Sequence, residues 1–335
     1  MRNLLSSLFV DSNNVRHTSS KKENASMIRS TRLGQLALGL LVLVADSVSL
    51  PAAEIMYVSY YNSNKIEMFD TLGNDLGTFA SSNLSGPAGL AFDKSGNLFV
   101  SNFDANTVSK FSTTGTFLNS FGDASNLNKP SGLAIDSSGD LYVTNSDAKS
   151  ANLTKFSNNG SFIAFIDSKV GSPSDVKFDS SGNLYALGLS GDISKFDSSG
   201  VYDMGIAAPI GQPNNYWGLA IDSSGNIYSS YWVNVITKYN SSGSYLSTIT
   251  NGSFNGLNGL AFDSQGNLYV ANYAGNSISK FDASGSFITS WSTGSNSGPS
   301  YFAIRTVPEP STYALAAIAT GVMAAIARRR KTRKA

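Results

Sequence analysis

Between Glu54 and Arg305 the chain has nineteen acids and twelve lysines or arginines, yet its single histidine is His17 and it has no cysteine. That stretch lacks imidazole and thiol together, which excludes Ser-His-Asp and Cys-His nucleophiles, imidazole bases and the usual zinc sites. Carboxylate chemistry survives. Five aspartates, Asp93, Asp136, Asp179, Asp222 and Asp263, open the near-identical strings DKSGNLF, DSSGDLY, DSSGNLY, DSSGNIY and DSQGNLY. An acid, hydroxyls, a glycine and an amide look like half of a calcium loop. Such a loop also needs ligands at alternate positions and a distal bidentate acid, and here a strand-forming pair such as Leu-Tyr follows instead. Glycine in a short hairpin loop supplies a left-handed residue, and the Asp accepts from the backbone two residues on, so the strings predict turns. Asp104, Asp147, Asp175 and Asp192 stand outside them and remain as candidates for carboxylate work.

The five leading acids are spaced by 43, 43, 43 and 41 residues, which means a repeat architecture. Each unit holds four short apolar runs separated by turn residues, as in GLAFD, NLYVAN, SISKFD and SFITSW between Gly259 and Trp291. Four strands in a unit of this length describe a propeller blade. Five units are complete, and the ends supply a sixth. EIMYVSYYNSNKIEMFD (Glu54–Asp70) reads as second and third strands without a first, while GPSYFAIR (Gly298–Arg305) aligns with GPAGLAFD (Gly86–Asp93) and stops. The expectation is an all-β, six-bladed β-propeller of four-stranded blades over 54–305, closed by pairing of its N- and C-terminal strands, which leaves no open terminal blade.

In such a blade the second-to-third and fourth-to-first connections emerge on one side. Here they are YYNSN, NFDAN, NSDAKSAN, YWVN, NYAGN and QPNNYW, rich in aromatics and amides. Rings stack on weakly polar surfaces and amides both donate and accept, a combination suited to a glycan or a protein ligand. The candidate ligand-binding residues are Tyr61, Asn102, Phe103, Asn145, Tyr216, Trp217, Tyr231, Trp232, Asn272 and Tyr273. The alternative for the same residues is packing between blades and capping of turns. Lys110, Lys155, Lys195, Lys238 and Lys280 recur at one position of the third strand, and are expected to point outward at the blade rim without a function.

Units such as GLAFDSQGNLYVANYAGNSISKFDASGSF resemble NHL repeats, which build six-bladed propellers. Where such repeats often have an acid after the second strand and an arginine opening the third, this chain has Asn102, Asn145 and Asn272, then Thr107, Asn152 and Ser277. Two functions are compatible with that resemblance. One is a non-catalytic binding or structural module without a cofactor. The alternative is a calcium-dependent lactonase of the gluconolactonase type, whose acids and amides would stand at the top of the central channel.

Charge is unevenly spread: residues 1–53 carry +3, residues 306–335 carry +5 and the propeller carries −7. An acidic domain disfavours phosphate contacts, so no nucleic-acid partner is expected. Residues 1–53 hold the apolar run Leu33–Ala45, preceded by Arg29 and Arg32 and followed by small residues, as in a secretory signal peptide, with Met27 as a possible true start. The C-terminal end has three parts: a linker at 306–311 with Pro308, Glu309 and Pro310, an apolar transmembrane helix at 312–327, and a basic cytoplasmic tail at 328–335. Sixteen helical residues span about 24 Å, short of the hydrocarbon layer but within reach of snorkelling arginines. This ending resembles the PEP-CTERM sorting signal of Gram-negative bacteria, often found in species that make exopolysaccharide. The resemblance implies an exosortase-type processing protease as partner, anchorage in the inner membrane before processing, and a final place at the cell surface or outside the cell.

Overall fold

The computed structural model describes residues 53–147, 152–209 and 215–307. The leader, Pro308–Pro310, the apolar run at 312–327 and the basic tail lie outside the described residues. Among the described residues no helix is long and apolar enough to cross a membrane.

Among the described residues twenty-four strands form six sheets of four. Blade 1 takes β1 (Ala53–Tyr60), β2 (Lys65–Asp70) and β3 (Asp75–Ala80). Blade 2 is β4 (Pro87–Phe92), β5 (Leu98–Asn102), β6 (Thr107–Phe111) and β7 (Phe117–Phe121). Blade 3 is β8 (Pro130–Ile135), β9 (Leu141–Asn145), β10 (Asn152–Phe156) and β11 (Phe162–Asp167). Blade 4 is β12 (Pro173–Phe178), β13 (Leu184–Gly188), β14 (Ile193–Phe196) and β15 (Tyr202–Ile206). Blade 5 is β16 (Tyr216–Ile221), β17 (Ile227–Tyr231), β18 (Val235–Tyr239) and β19 (Tyr245–Ile249). Blade 6 is β20 (Leu257–Phe262), β21 (Leu268–Asn272), β22 (Ser277–Phe281) and β23 (Phe287–Ser292). The last strand, β24 (Pro299–Val307), becomes the inner strand of blade 1 in the order β24-β1-β2-β3. Ile55 pairs with Arg305 and Ala53 with Val307, so the propeller reaches past the expected borders on both sides.

The expected turns form as read. Both oxygens of Asp93 accept from Asn97, from its backbone N–H at 2.8 Å and its side-chain amide at 2.9 Å, while Gly96 takes φ +81°. Asp179, Asp222 and Asp263 repeat this pattern with Asn183, Asn226 and Asn267. The core lies between blades: Tyr57, Ile66 and Phe79 of blade 1 pack against Leu90, Leu98, Val100 and Phe111 of blade 2, and five further clusters repeat this around the ring. The repeated lysines do not project outward. Lys110, Lys155, Lys195, Lys238 and Lys280 lie 4.6–5.9 Å from the centroids of Phe99, Tyr142, Tyr185, Tyr228 and Tyr269. Lys110 donates to Asn158 and Lys280 to the Thr71 carbonyl, both in the next blade. For Lys110 and Lys280 an alkyl stem packed on a ring with its ammonium bonded across the seam is a blade-to-blade tie, whereas Lys155 and Lys195 pair with Asp140 and Asp203 of their own blades.

The six inner strands are neighbours around the channel. Their third residues, in blade order from blade 2, are Gly89, Gly132, Asp175, Gly218, Gly259 and Tyr301. Four glycines allow the close approach: a Cβ on Gly259 would stand 2.5 Å from the Ser300 carbonyl oxygen and 2.8 Å from Tyr301 Cα, both backbone. Gly259→Ala is expected to cost about 1–3 kcal/mol through overpacking, read as a lower denaturant midpoint with unchanged m.

Candidate functional site: an aromatic cup at the channel mouth

A propeller places the residue after each second strand and the second residue of each inner strand around the same channel mouth. The first set is Tyr61, Phe103, Ser146, Leu189, Trp232 and Tyr273, and the second is Ala88, Ser131, Ser174, Trp217, Asn258 and Ser300. Aromatics are thus concentrated on blades 5, 6, 1 and 2, which are consecutive in the ring. Trp232 and Tyr273 have centroids 5.6 Å apart, Tyr273 and Tyr61 6.3 Å, and Tyr61 and Phe103 5.9 Å. These four half-buried rings, with Trp217, wall a cavity of 260 Å³. Ala88, Ser131, Asn258, Ser300 and Tyr301 complete its lining.

The polar tips of the wall are turned into the scaffold. Tyr61 donates its hydroxyl to Asp104 Oδ1 at 2.8 Å, Tyr273 to Asn62 Oδ1 at 2.9 Å, and Trp217 Nε1 to Asn215 Oδ1 at 2.7 Å. Burial and then the Asp104 carboxylate push the Tyr61 phenol up to about 12, so it remains a neutral donor. Burial likewise raises Tyr273. With their tips held, the rings are fixed in orientation and present faces and edges to the cavity, which lowers the entropy lost on binding.

Below the cup the channel is plugged. Tyr301, carried by β24, crosses the axis and donates to the carbonyls of Ser174 at 3.0 Å and Trp217 at 2.9 Å, sharing a third bond of 2.8 Å with the Ser131 hydroxyl. One side chain of blade 1 thereby ties blades 3, 4 and 5. Beside it Asp175 is fully buried, accepting from the backbone N–H groups of Leu219 and Val176 and from Lys177 Nζ at 2.6 Å. Burial raises the Asp175 carboxyl, with Lys177 acting against it, and burial then the Asp175 charge raise the Tyr301 phenol.

Of the ten candidate residues, the structure brings five together: Tyr61, Phe103, Trp217, Trp232 and Tyr273. Tyr216 and Tyr231 point the other way along their strands, are buried, and stack on each other at 4.8 Å between blades 4 and 5. Their rings serve the core. Asn102, Asn145 and Asn272 are also buried. Each accepts from a backbone N–H of the preceding inter-blade loop, at Ser85, Asn128 and Asn255, and donates to hydroxyls of the third strand, at Ser109, Thr154 and Ser279. They fasten loops. The cup residues that sequence reasoning missed are Tyr301 and Asn258. Their signal is the break in the repeat: Tyr301 stands at a glycine position and Asn258 where other blades have Ala, Ser or Trp.

The four lone acids do not converge either. Asp104 holds Tyr61, Asp175 is tied inside the channel, and Asp192 accepts from Ser190 and the Ala208 N–H. Among the described residues no three acids or histidines are close enough to share a metal ion. A larger cavity of 630 Å³ opens on the opposite face, lined mainly by the Asp-x-x-Gly turns of blades 3 and 4.

Residues 306–331 match the PEP-CTERM protein-sorting motif. The chain carries a PEP-CTERM sorting signal. That signal entails processing by exosortase, a membrane protease, and export with a membrane-anchored sorting step in Gram-negative bacteria. Comparison with curated protein sequences finds no match. Among solved structures, the chain is similar to one in a nidogen/laminin complex, at 16% identity and TM-score 0.65, covering 75% of this chain and 98% of that one. It is also similar to virginiamycin B lyase from Staphylococcus aureus, at 13% identity and TM-score 0.56, covering 74% and 84%. A protein from Bacteroides caccae aligns at 12% identity and TM-score 0.58, covering 76% and 99%. At such identities these likenesses establish the propeller fold, and function has to be argued from the site.

Proposed function

We propose that the exported propeller is a non-catalytic binding module of the cell surface or extracellular matrix, which captures a group displayed by a glycan or a protein in the cup of Tyr61, Phe103, Trp217, Trp232 and Tyr273. The observation that carries this reading is the convergence of five half-buried rings from four consecutive blades on one cavity, with the polar tips of Tyr61, Tyr273 and Trp217 already bonded. Exposed aromatic surface held rigid by internal hydrogen bonds is the kind of surface that supplies binding hot spots. Against an enzymatic role stands the chemistry at hand. A histidine-to-alanine variant of the Staphylococcus aureus lyase is catalytically inactive, and this chain has no histidine after His17. The calcium-dependent lactonase reading asks for acids gathered at the channel top, whereas Asp104 is engaged by a phenol and Asp175 lies below the cup, held by a lysine.

A glycan array probed with the full chain, with calcium and with chelator, tests the reading. Binding of a glycan- or peptide-displayed group, indifferent to chelator, is expected, and chelator-sensitive lactone turnover would overturn it. Trp232→Ala and Trp217→Ala should each weaken binding about 30-fold, the consequence of losing about 2 kcal/mol at a hot spot. Lys195→Ala, which removes the partner of Asp203 within blade 4, should leave affinity unchanged.

A further inference from the structure

Resting on the binding reading of the cup, we propose that the group it captures is a methylated ammonium, a quaternary or trimethylated nitrogen held against the ring faces. Four observations converge on this chemistry.

The first is what the wall has left to offer. With the Tyr61, Tyr273 and Trp217 tips bonded to Asp104, Asn62 and Asn215, and the Tyr301 hydroxyl spent on two carbonyls and a serine, a hydroxyl-rich ligand finds few free partners. Ring faces remain, and a ring face is the negative end of a quadrupole. A quaternary ammonium has no N–H to satisfy and spreads its charge over methyl groups, so it needs no hydrogen-bond acceptor from the wall.

The second is spacing. A cation interacts with a ring within about 6 Å of its centroid. Successive centroids along Trp232, Tyr273, Tyr61 and Phe103 are 5.6, 6.3 and 5.9 Å apart, so one cation resting against this crescent reaches more than one ring. The third is size. A cavity of 260 Å³ is smaller than the range of about 300–1,000 Å³ usual for whole small-molecule ligands, and suits one compact head group.

The fourth is charge. Among the described residues none of the cavity lining is cationic, the propeller carries −7, and the Asp104 carboxylate is bonded to the Tyr61 hydroxyl. Asn258, more than nine-tenths buried in the lining, has an Oδ1 without a hydrogen-bond partner, an acceptor dipole left uncompensated. The exposed Lys129 places Nζ 5.6 Å from the Phe103 centroid, outside the cavity lining, within the range of a cation–ring contact.

The test is calorimetric titration of the full chain with tetramethylammonium, choline, phosphocholine, Nε-trimethyl-lysine, methyl glycosides and 3,3-dimethyl-1-butanol, the uncharged isostere of choline. Choline and trimethyl-lysine are expected to bind at least about tenfold more tightly than the isostere, a difference of 1.4 kcal/mol, and to weaken as salt rises. Trp232→Ala should abolish this while Trp232→Phe retains most of it, and Lys129→Ala should tighten it slightly. Choline ahead of phosphocholine identifies a head group without phosphate, and the reverse order a phospholipid source. Equal binding of the isostere would overturn the inference. Glycosides bound with every ammonium silent would overturn it and leave the binding module intact, and no titrant sensitive to Trp232→Ala would overturn both.

Discussion

A chain ending at Ser297, which lacks β24, is expected to show no cooperative melting transition, whereas the chain ending at Val307 melts as one unit. β24 is the whole inner strand of blade 1, paired with β1 from Ala53↔Val307 to Tyr60↔Pro299. Its loss leaves β1 with an unpaired inner edge and removes the buried Tyr301 and Phe302, together with the three hydrogen bonds that Tyr301 makes across the channel. Each buried aromatic of this kind is worth about 3–5 kcal/mol on truncation, so their sum approaches the entire stability of about 5–15 kcal/mol of a typical domain. Calorimetry of the two chains measures this directly. Equal melting temperatures would show that the ring does not depend on its closing strand. Tyr301→Phe isolates the hydroxyl: it keeps the ring but takes a donor from the Trp217 carbonyl and leaves the Ser174 carbonyl only its long bond from Thr144, and should cost about 1–3 kcal/mol.

The second large effect belongs to the ion pair beneath the cup. Lys177→Met should cost about 3–5 kcal/mol, which for a domain of this size lowers the melting temperature by about 10 °C. The reason is asymmetric burial. The Asp175 side chain is 0% exposed and that of Lys177 27%, so removing the lysine strands a buried carboxylate, while Asp175→Asn leaves a lysine that can turn to water. Asp175→Asn also keeps an oxygen to accept from Leu219 or Val176, and should cost less, about 1–2 kcal/mol. The pH dependence follows from direction. Burial raises the folded-state pKa of Asp175, so its contribution to stability is full below the unfolded-state value near 3.8 and is lost as pH rises through the folded-state value. Lys177 is the chief opposing influence, so without it the carboxyl moves up further. The deficit of Lys177→Met relative to wild type should therefore shrink as pH falls from 8 to 5, because protonation neutralises the stranded group. Differential scanning fluorimetry of both proteins across that range reads the effect, and a deficit that grows in acid would sink the account.

How far the cup could be read in advance is shown by two adjacent pairs. Tyr216-Trp217 and Tyr231-Trp232 look alike as strings, and both members of each were candidates. In a strand neighbouring side chains point to opposite faces, so one ring of each pair enters the seam between blades and the other reaches the mouth. The choice of which is which follows from how the inner strands wrap the channel. The amides of Asn102, Asn145 and Asn272 misled for a related reason: an amide suits a ligand and a turn equally, and here backbone N–H groups and hydroxyls claimed them first.

Blade count, circular closure, hairpin chemistry and the sorting signal were all determined by the sequence itself. Each is written in residues close together in the chain or in the 43-residue period, and an Asp-x-x-Gly-Asn turn needs only its own five residues. Only the tertiary structure decided that Tyr301 meets Ser131 and Ser174, residues 170 and 127 positions away, that Asp175 is sealed beside it, and that four rings join into a crescent. Those contacts exist because closing the ring brings six inner strands onto one axis, where the few positions that break the repeat must fill the space the glycines leave.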